Sequence, residues 1–252
     1  MFLEKFGYHK ITQGKDPRKD LELEQLGYFR IPYTINDLNI KNKFEIERHS
    51  EARRKVKIIV VDDQEFMPLV SLRDSYHYDI KQNGTIDDPY MVAEYDIILC
   101  DNQGVAVKLS PKNGGATLIK EIKKNYPNKS VIAYTASSFN PKVSDYLDYA
   151  DKRMGKSSPI DDWVSILDDF IEKRFDLKYQ WRLTRTALLE KGLSIVEVAK
   201  LEAEYVNAVN NKSLPSLKDS YSNSEFPGSE IIVNLLNITS SAITFLQSIG
   251  VV

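Results

Sequence analysis

KVKIIVVDD (55–63) and YDIILCD (95–101) are the stretches on which the fold turns. Each is an unbroken apolar run rich in β-branched residues, and each ends in acid: Asp62 and Asp63 in the first, Asp101 in the second. A strand with one wet face alternates apolar and polar residues. A continuous run is expected where both faces are covered, as in a parallel sheet flanked by helices. SVIAYTA (130–136) is a third run of this kind, and DKRMGKSS (151–158) is a weaker one ending near Lys156. The remaining strand is expected between His77 and Asp88, with a degraded helix, in a stretch punctuated by Asn83-Gly84 and Asp87-Asp88-Pro89.

Helical patterns separate these runs. PLVSLRDSY (68–76) has helical spacing, and PKVSDYLDYA (141–150) reads as a short helix. In GGATLIKEIKKNYP (114–127), Leu118, Ile119 and Ile122 share one face, and Pro127 stops the helix. PIDDWVSILDDFIEKRF (159–175) has Pro159 in its first turn and an apolar stripe of Ile160, Val164, Leu167, Phe170 and Ile171. Strands alternating with helices predict an α/β fold, a doubly wound parallel sheet of five strands. Beyond Phe175 the chain reads as helical over 179–192 and 193–210, with Gly192 as a stop and Ser194 as an N-cap answered by Glu197.

The chain therefore divides into five parts. Residues 1–54 are a poorly defined N-terminal extension, with a candidate short strand in LGYFRIPYTI (26–35) and a linker or short helix in KFEIERHSEARRK (43–55). Residues 55–175 form the α/β domain, 176–211 a helical extension, 212–229 a polar linker and 230–252 an apolar helix. From Ile231 to Val252 there is no charged residue, a length that suits a bilayer span, yet Asn234, Asn237 and a serine cluster are costly in hydrocarbon. A buried or self-associating helix is the favoured reading, and membrane contact the alternative.

Composition narrows the function. A formal net charge of −2 in 252 residues gives no general attraction to nucleic acid or acidic lipid. Cys100 is the single cysteine, so no disulfide can form within the chain, and the N-terminus lacks a basic-then-apolar leader; both fit a cytoplasmic protein. His9, His49 and His77 show no metal-ligand spacing. Gly104, Gly114 and Gly115 form neither a Walker nor a dinucleotide fingerprint.

In an open parallel sheet, ligands sit beyond the carboxyl ends of the strands where strand order reverses. Asp62, Asp63, Asp101, Thr135 and Lys156 all fall at such ends. Several carboxylates in one pocket repel one another and invite a divalent cation, and hard oxygen ligands suit Mg2+. A carboxylate can attack a phosphoryl donor, while a lysine and a hydroxyl neutralise the phosphoryl oxygens.

Taken in order, VVDDQEF, ILCD, YTA and GKSSP resemble the receiver domain of two-component response regulators, which has a flavodoxin-like fold. The resemblance covers about half of the chain. It implies that Asp101 is the phosphoacceptor and that Asp62, Asp63, Asp101 and the backbone carbonyl of Gln103 form a Mg2+ site. It further implies that Thr135 turns toward the phosphoryl group, that Lys156 pairs with it, and that the phosphoryl donor is a histidine kinase or phosphotransfer protein. Two departures stand out. Loop 102–113 is long, and the aromatic residue that receivers often carry shortly before the lysine is replaced by Lys152, Arg153 and Met154.

Glu197, Glu202 and Glu204 in SIVEVAKLEAEYVNAV, with no basic helix after them, argue against DNA as the target. A protein partner, or a homo-oligomer formed through the C-terminal helices, fits better. A pseudo-receiver that acts as an adaptor without taking phosphate is the alternative. A phosphatase on a related fold is a third reading, opposed by the acidic pair preceding the acceptor.

Overall fold

In the computed structural model, which describes residues 33–38, 49–135, 148–222 and 224–250, the apolar runs form one parallel sheet. Its strands are β1 (Lys57–Val61), β2 (Asp79–Asn83), β3 (Ile97–Asp101), β4 (Ser130–Thr135) and β5 (Lys152–Gly155), in the order β2-β1-β3-β4-β5. This is the doubly wound, flavodoxin-like order, and strand order reverses between β1 and β3. Register aligns the carboxyl ends. Val61 is level with Cys100, Asp101 with Tyr134, and Thr135 with Gly155. The residues that follow β1 and β5 are therefore delivered to the same edge as Asp101.

The helices are α1 (His49–Lys55), α2 (Gly114–Asn125), α3 (Ile160–Phe175), α4 (Leu177–Glu190), α5 (Ile195–Asn210), α6 (Leu214–Ser222) and α7 (Ser229–Ser248). Side chains alternate between the two faces of a strand. Ile59, Val61, Ile98, Cys100, Val131 and Ala133 face one way and bury Leu118, Ile119 and Ile122 of α2. Ile58, Val60, Ile97, Leu99, Ile132 and Tyr134 face the other and bury Trp163, Leu167, Phe170 and Ile171 of α3.

That second core does not stop at α3. It continues through Trp181, Tyr205, Leu235 and Phe245, so the helical extension shares its apolar interior with the sheet. Phe175 meets Phe245 at a ring separation of 4.6 Å, and Trp181 stacks on Tyr205 at 5.4 Å. The Tyr205 and Thr239 hydroxyls hydrogen-bond at 2.8 Å inside this core, which explains one polar residue in the apolar C-terminal run. Among the described residues α7 is the one helix long and apolar enough to cross a bilayer, and one of its faces is buried here by Ile231, Ile232, Leu235, Leu236, Ala242 and Phe245.

Some expectations are revised in detail. The stretch expected to be a linker contains α6, because Leu214 finds a buried site and Tyr221 donates a 2.8 Å hydrogen bond to Glu204. Between β2 and β3 the helix is reduced to a 3-10 turn, Pro89–Val92, started by Asp88 accepting from the Tyr90 amide at 2.9 Å. The segment 68–76 ends in a π-helical turn, Ser71–Ser75. Of the candidate strand at 26–35, residues 26–32 lie outside the described residues, as do 141–147 of the short helix. Ile35–Asp37 form a 3-10 turn whose Ile35 amide donates to Glu202 at 2.6 Å, docking the N-terminal side of the chain on α5.

Candidate functional site

Asp101 ends β3 and is almost fully buried. Lys156, just past β5, places its ammonium 2.7 Å from Asp101 Oδ2 and 2.8 Å from Asp62 Oδ2. Asp62 is wholly enclosed. Its Oδ1 accepts from the Gln64 amide at 2.9 Å, and its Oδ2 also accepts from the Tyr134 hydroxyl at 2.8 Å. Asp63, exposed, completes the cluster: Asp62, Asp63 and Asp101 each offer a carboxylate oxygen within 4.8 Å of the others. The Gln103 amide donates to Asp101 Oδ1 at 3.3 Å. Thr135 is buried at the end of β4, and its carbonyl accepts from the Lys156 amide at 2.8 Å. The tertiary fold thus gathers all six residues singled out from the sequence at one edge of the sheet.

The electrostatics are unbalanced. Among the described residues of this cluster, three carboxylates lie together and one ammonium pairs with two of them, Asp62 and Asp101. Burial pushes the Asp101 carboxyl above its ordinary range, against the pull of Lys156. Burial alone would lower Lys156, but its hydrogen bonds to Asp101 and Asp62 outweigh that and hold the ammonium above its usual value. A buried excess of negative charge with hard oxygen donors fits a small divalent cation.

Backbone geometry supports the same arrangement. Gly104 has φ +78°, and a Cβ there would lie 2.5 Å from Asp63 Oδ2. A side chain there would be strained by the positive φ and would have to displace the Asp63 carboxylate. Gly115, at the start of α2, is pressed against the acceptor strand, since a Cβ would come 2.0 Å from the Asp101 carbonyl oxygen. These glycines have a packing role that a search for phosphate-binding fingerprints does not detect.

Tyr134 is the residue of the site that the sequence reading did not single out. Its one available signal is strand alternation: in SVIAYT it shares a face with Ile132, which places a phenol on the α3 side of the sheet one residue before the edge. Burial, reinforced by donation to Asp62, raises its hydroxyl above the usual tyrosine range.

No family model matches the sequence, and no curated protein matches it. Solved structures resemble just under half of the chain. A response regulator from Thermotoga maritima is 14% identical and covers 46% of this chain and 97% of its own, with a TM-score of 0.37. A CheY-like response regulator receiver domain protein from Methanospirillum hungatei is 19% identical over 47% of this chain and 94% of its own, with a TM-score of 0.38. The receiver domain of NtrX from Brucella abortus is 19% identical over 46% of this chain and 98% of its own, again with a TM-score of 0.38. The fold assignment rests on the strand order and pairing described above.

Proposed function

We propose that this chain is a phosphorylation-controlled signalling protein of the response-regulator type, taking a phosphoryl group on Asp101. One observation carries the reading: Lys156 spans Asp62 and Asp101 at 2.8 and 2.7 Å, with the Asp63 carboxylate within reach of both acids. Charge, residue types and position at the switch point then agree with a phosphoacceptor pocket.

In this reading a carboxylate oxygen of Asp101 forms a new bond to phosphorus. The bond between phosphorus and the donor's leaving group breaks, and its electron pair departs with that group. Asp63, Asp101 and the Gln103 carbonyl would hold Mg2+, with Asp62 beside them, and the bound cation would offset the charge of the incoming phosphoryl oxygens. Lys156 already lies against Asp101 and follows the new negative charge, while the Thr135 hydroxyl supplies a further donor. The physiological donor is a histidine kinase or phosphotransfer protein in the cytoplasm. The output is a protein contact or self-association through the C-terminal helices, whose core is continuous with that of the sheet.

The test is incubation with acetyl phosphate and Mg2+, followed by a phosphate-retarding gel, for the parent protein and Asp101→Asn. A Mg2+-dependent shift that vanishes in the variant is expected. If neither protein shifts with acetyl phosphate or with a panel of kinases, the phosphoacceptor reading falls and a phosphate-independent adaptor takes its place.

A further inference from the structure

The sequence lacks an aromatic residue just before Lys156, where Arg153 stands instead. An aromatic side chain nevertheless reaches the acidic pocket, from β4. The Tyr134 hydroxyl donates to Asp62 Oδ2 at 2.8 Å, on the same oxygen that accepts from Lys156. Its ring lies edge-on to Trp163 at 5.8 Å, and Phe66 closes the cluster at 5.4 Å from Tyr134 and 5.1 Å from Trp163. The Lys156 ammonium also stands 5.5 Å from the centre of the Tyr134 ring. Trp163 belongs to the first turn of α3, and the last residue of that helix, Phe175, packs on α7.

We propose that Tyr134 is a positioning residue that couples the occupancy of Asp101 to helix α3 through its bond to Asp62 and its contact with Trp163. The inference rests on the phosphoacceptor reading. Lys156 is shared by two carboxylates while Asp101 is free. Added phosphoryl charge on Asp101 draws the ammonium away from Asp62. Asp62 keeps two neutral donors, the Gln64 amide and the Tyr134 hydroxyl. A hydrogen bond to an ionised buried acceptor tightens when its competitor leaves. The phenol then shifts toward Asp62, and the ring carries its T-shaped contact with Trp163 along. The two-state element is therefore Lys156, held by Asp62 in one state and by the phosphoryl group in the other.

The chain has two tryptophans, so Trp181→Phe leaves Trp163 as the sole indole reporter. In this full-length background, Trp163 emission is followed during titration with beryllofluoride and Mg2+, which together imitate a phosphoryl group on a carboxylate. We expect a change in emission that is lost when Tyr134→Phe is added, compared at matched extents of acetyl phosphate modification of the two proteins on the gel. Phe66→Leu loosens the same cluster without touching the hydroxyl and should keep the response. An unchanged emission response in Tyr134→Phe overturns the role of Tyr134 and leaves the phosphoacceptor reading intact. Absence of both gel shift and emission change in the parent overturns both. Hydrogen exchange on the unmutated protein gives a check that needs no variant: beryllofluoride should alter protection at residues 160–164, and unaltered protection there also overturns the coupling.

Discussion

The two ends of the sheet use the same residue types for opposite purposes. At the amino end, Asp96 accepts from Arg174 at 2.6 Å and from the Lys57 amide at 3.1 Å. Lys129 donates to the carbonyl oxygens of Ala93 and Tyr95, and Asn128 is met by Gln180 and Thr184 of α4. These hydrogen bonds link α3 and α4 to the amino ends of β3 and β4, and the network fastens the helical extension to the sheet. At the carboxyl end three acids cluster, and one lysine pairs with two of them. Polar groups tied by hydrogen bonds across two elements make a joint, whereas carboxylates left in excess make a site, because only the latter gain from an incoming cation.

Perturbing the two ends should separate them. The largest effect is expected from Lys156→Met, which leaves Asp62 and Asp101 buried side by side with no cation and should cost about 3–5 kcal/mol of unfolding free energy in urea titrations. Mg2+ should restore a measurable part of that loss by binding the native state alone. Arg174→Met breaks the pair at the other end. Asp96 there is partly wet, so the cost should be on the order of 2 kcal/mol, and Mg2+ should restore none of it. Rescue by Mg2+ at both ends, or at neither, would remove the distinction.

Gly104→Ala sharpens the comparison at the carboxyl end. The positive φ and the Asp63 carboxylate both oppose a methyl group, so a loss of about 1–2 kcal/mol is expected together with weaker thermal stabilisation by Mg2+. The amino end should also carry a pH slope. Burial draws Lys129 down from 10.5 to about 8. Between those values the unfolded chain holds more of this proton than the native state. Stability should therefore rise with pH there, by up to about 1.4 kcal/mol per unit, and be flat in this contribution below pH 8. The difference between the parent and Lys129→Gln across that window isolates the effect; parallel curves would refute it.

Much of this was legible in the chain itself. Residues 57–61, 97–101 and 130–135 announce buried parallel strands through unbroken apolar runs, and parallel pairing obliges their terminal residues to share an edge. That is why Asp62, Asp63, Asp101, Thr135 and Lys156 could be named together. The stripe in 159–175 likewise marked α3 correctly. Less was legible where a contact crosses the chain. Helix α6 is short and polar, and takes its hold from a buried Leu214 and the bond from Tyr221 to Glu204, neither of which alters the local pattern. The capping box between Ser194 and Glu197, three residues apart, was legible and forms as expected, whereas the bond from the Ile35 amide to Glu202 crosses 167 residues and leaves no local trace.

Side-chain periodicity and chain direction are enough to dictate the strand-and-helix alternation, the sheet's buried character and the acids at its edge. Packing in three dimensions brings Tyr134 to Asp62 across 72 residues, sets Gly104 against Asp63 and joins the helical extension to the sheet in one core. Those outcomes depend on distances of a few ångströms between segments remote in sequence, and local propensity carries no information about such distances.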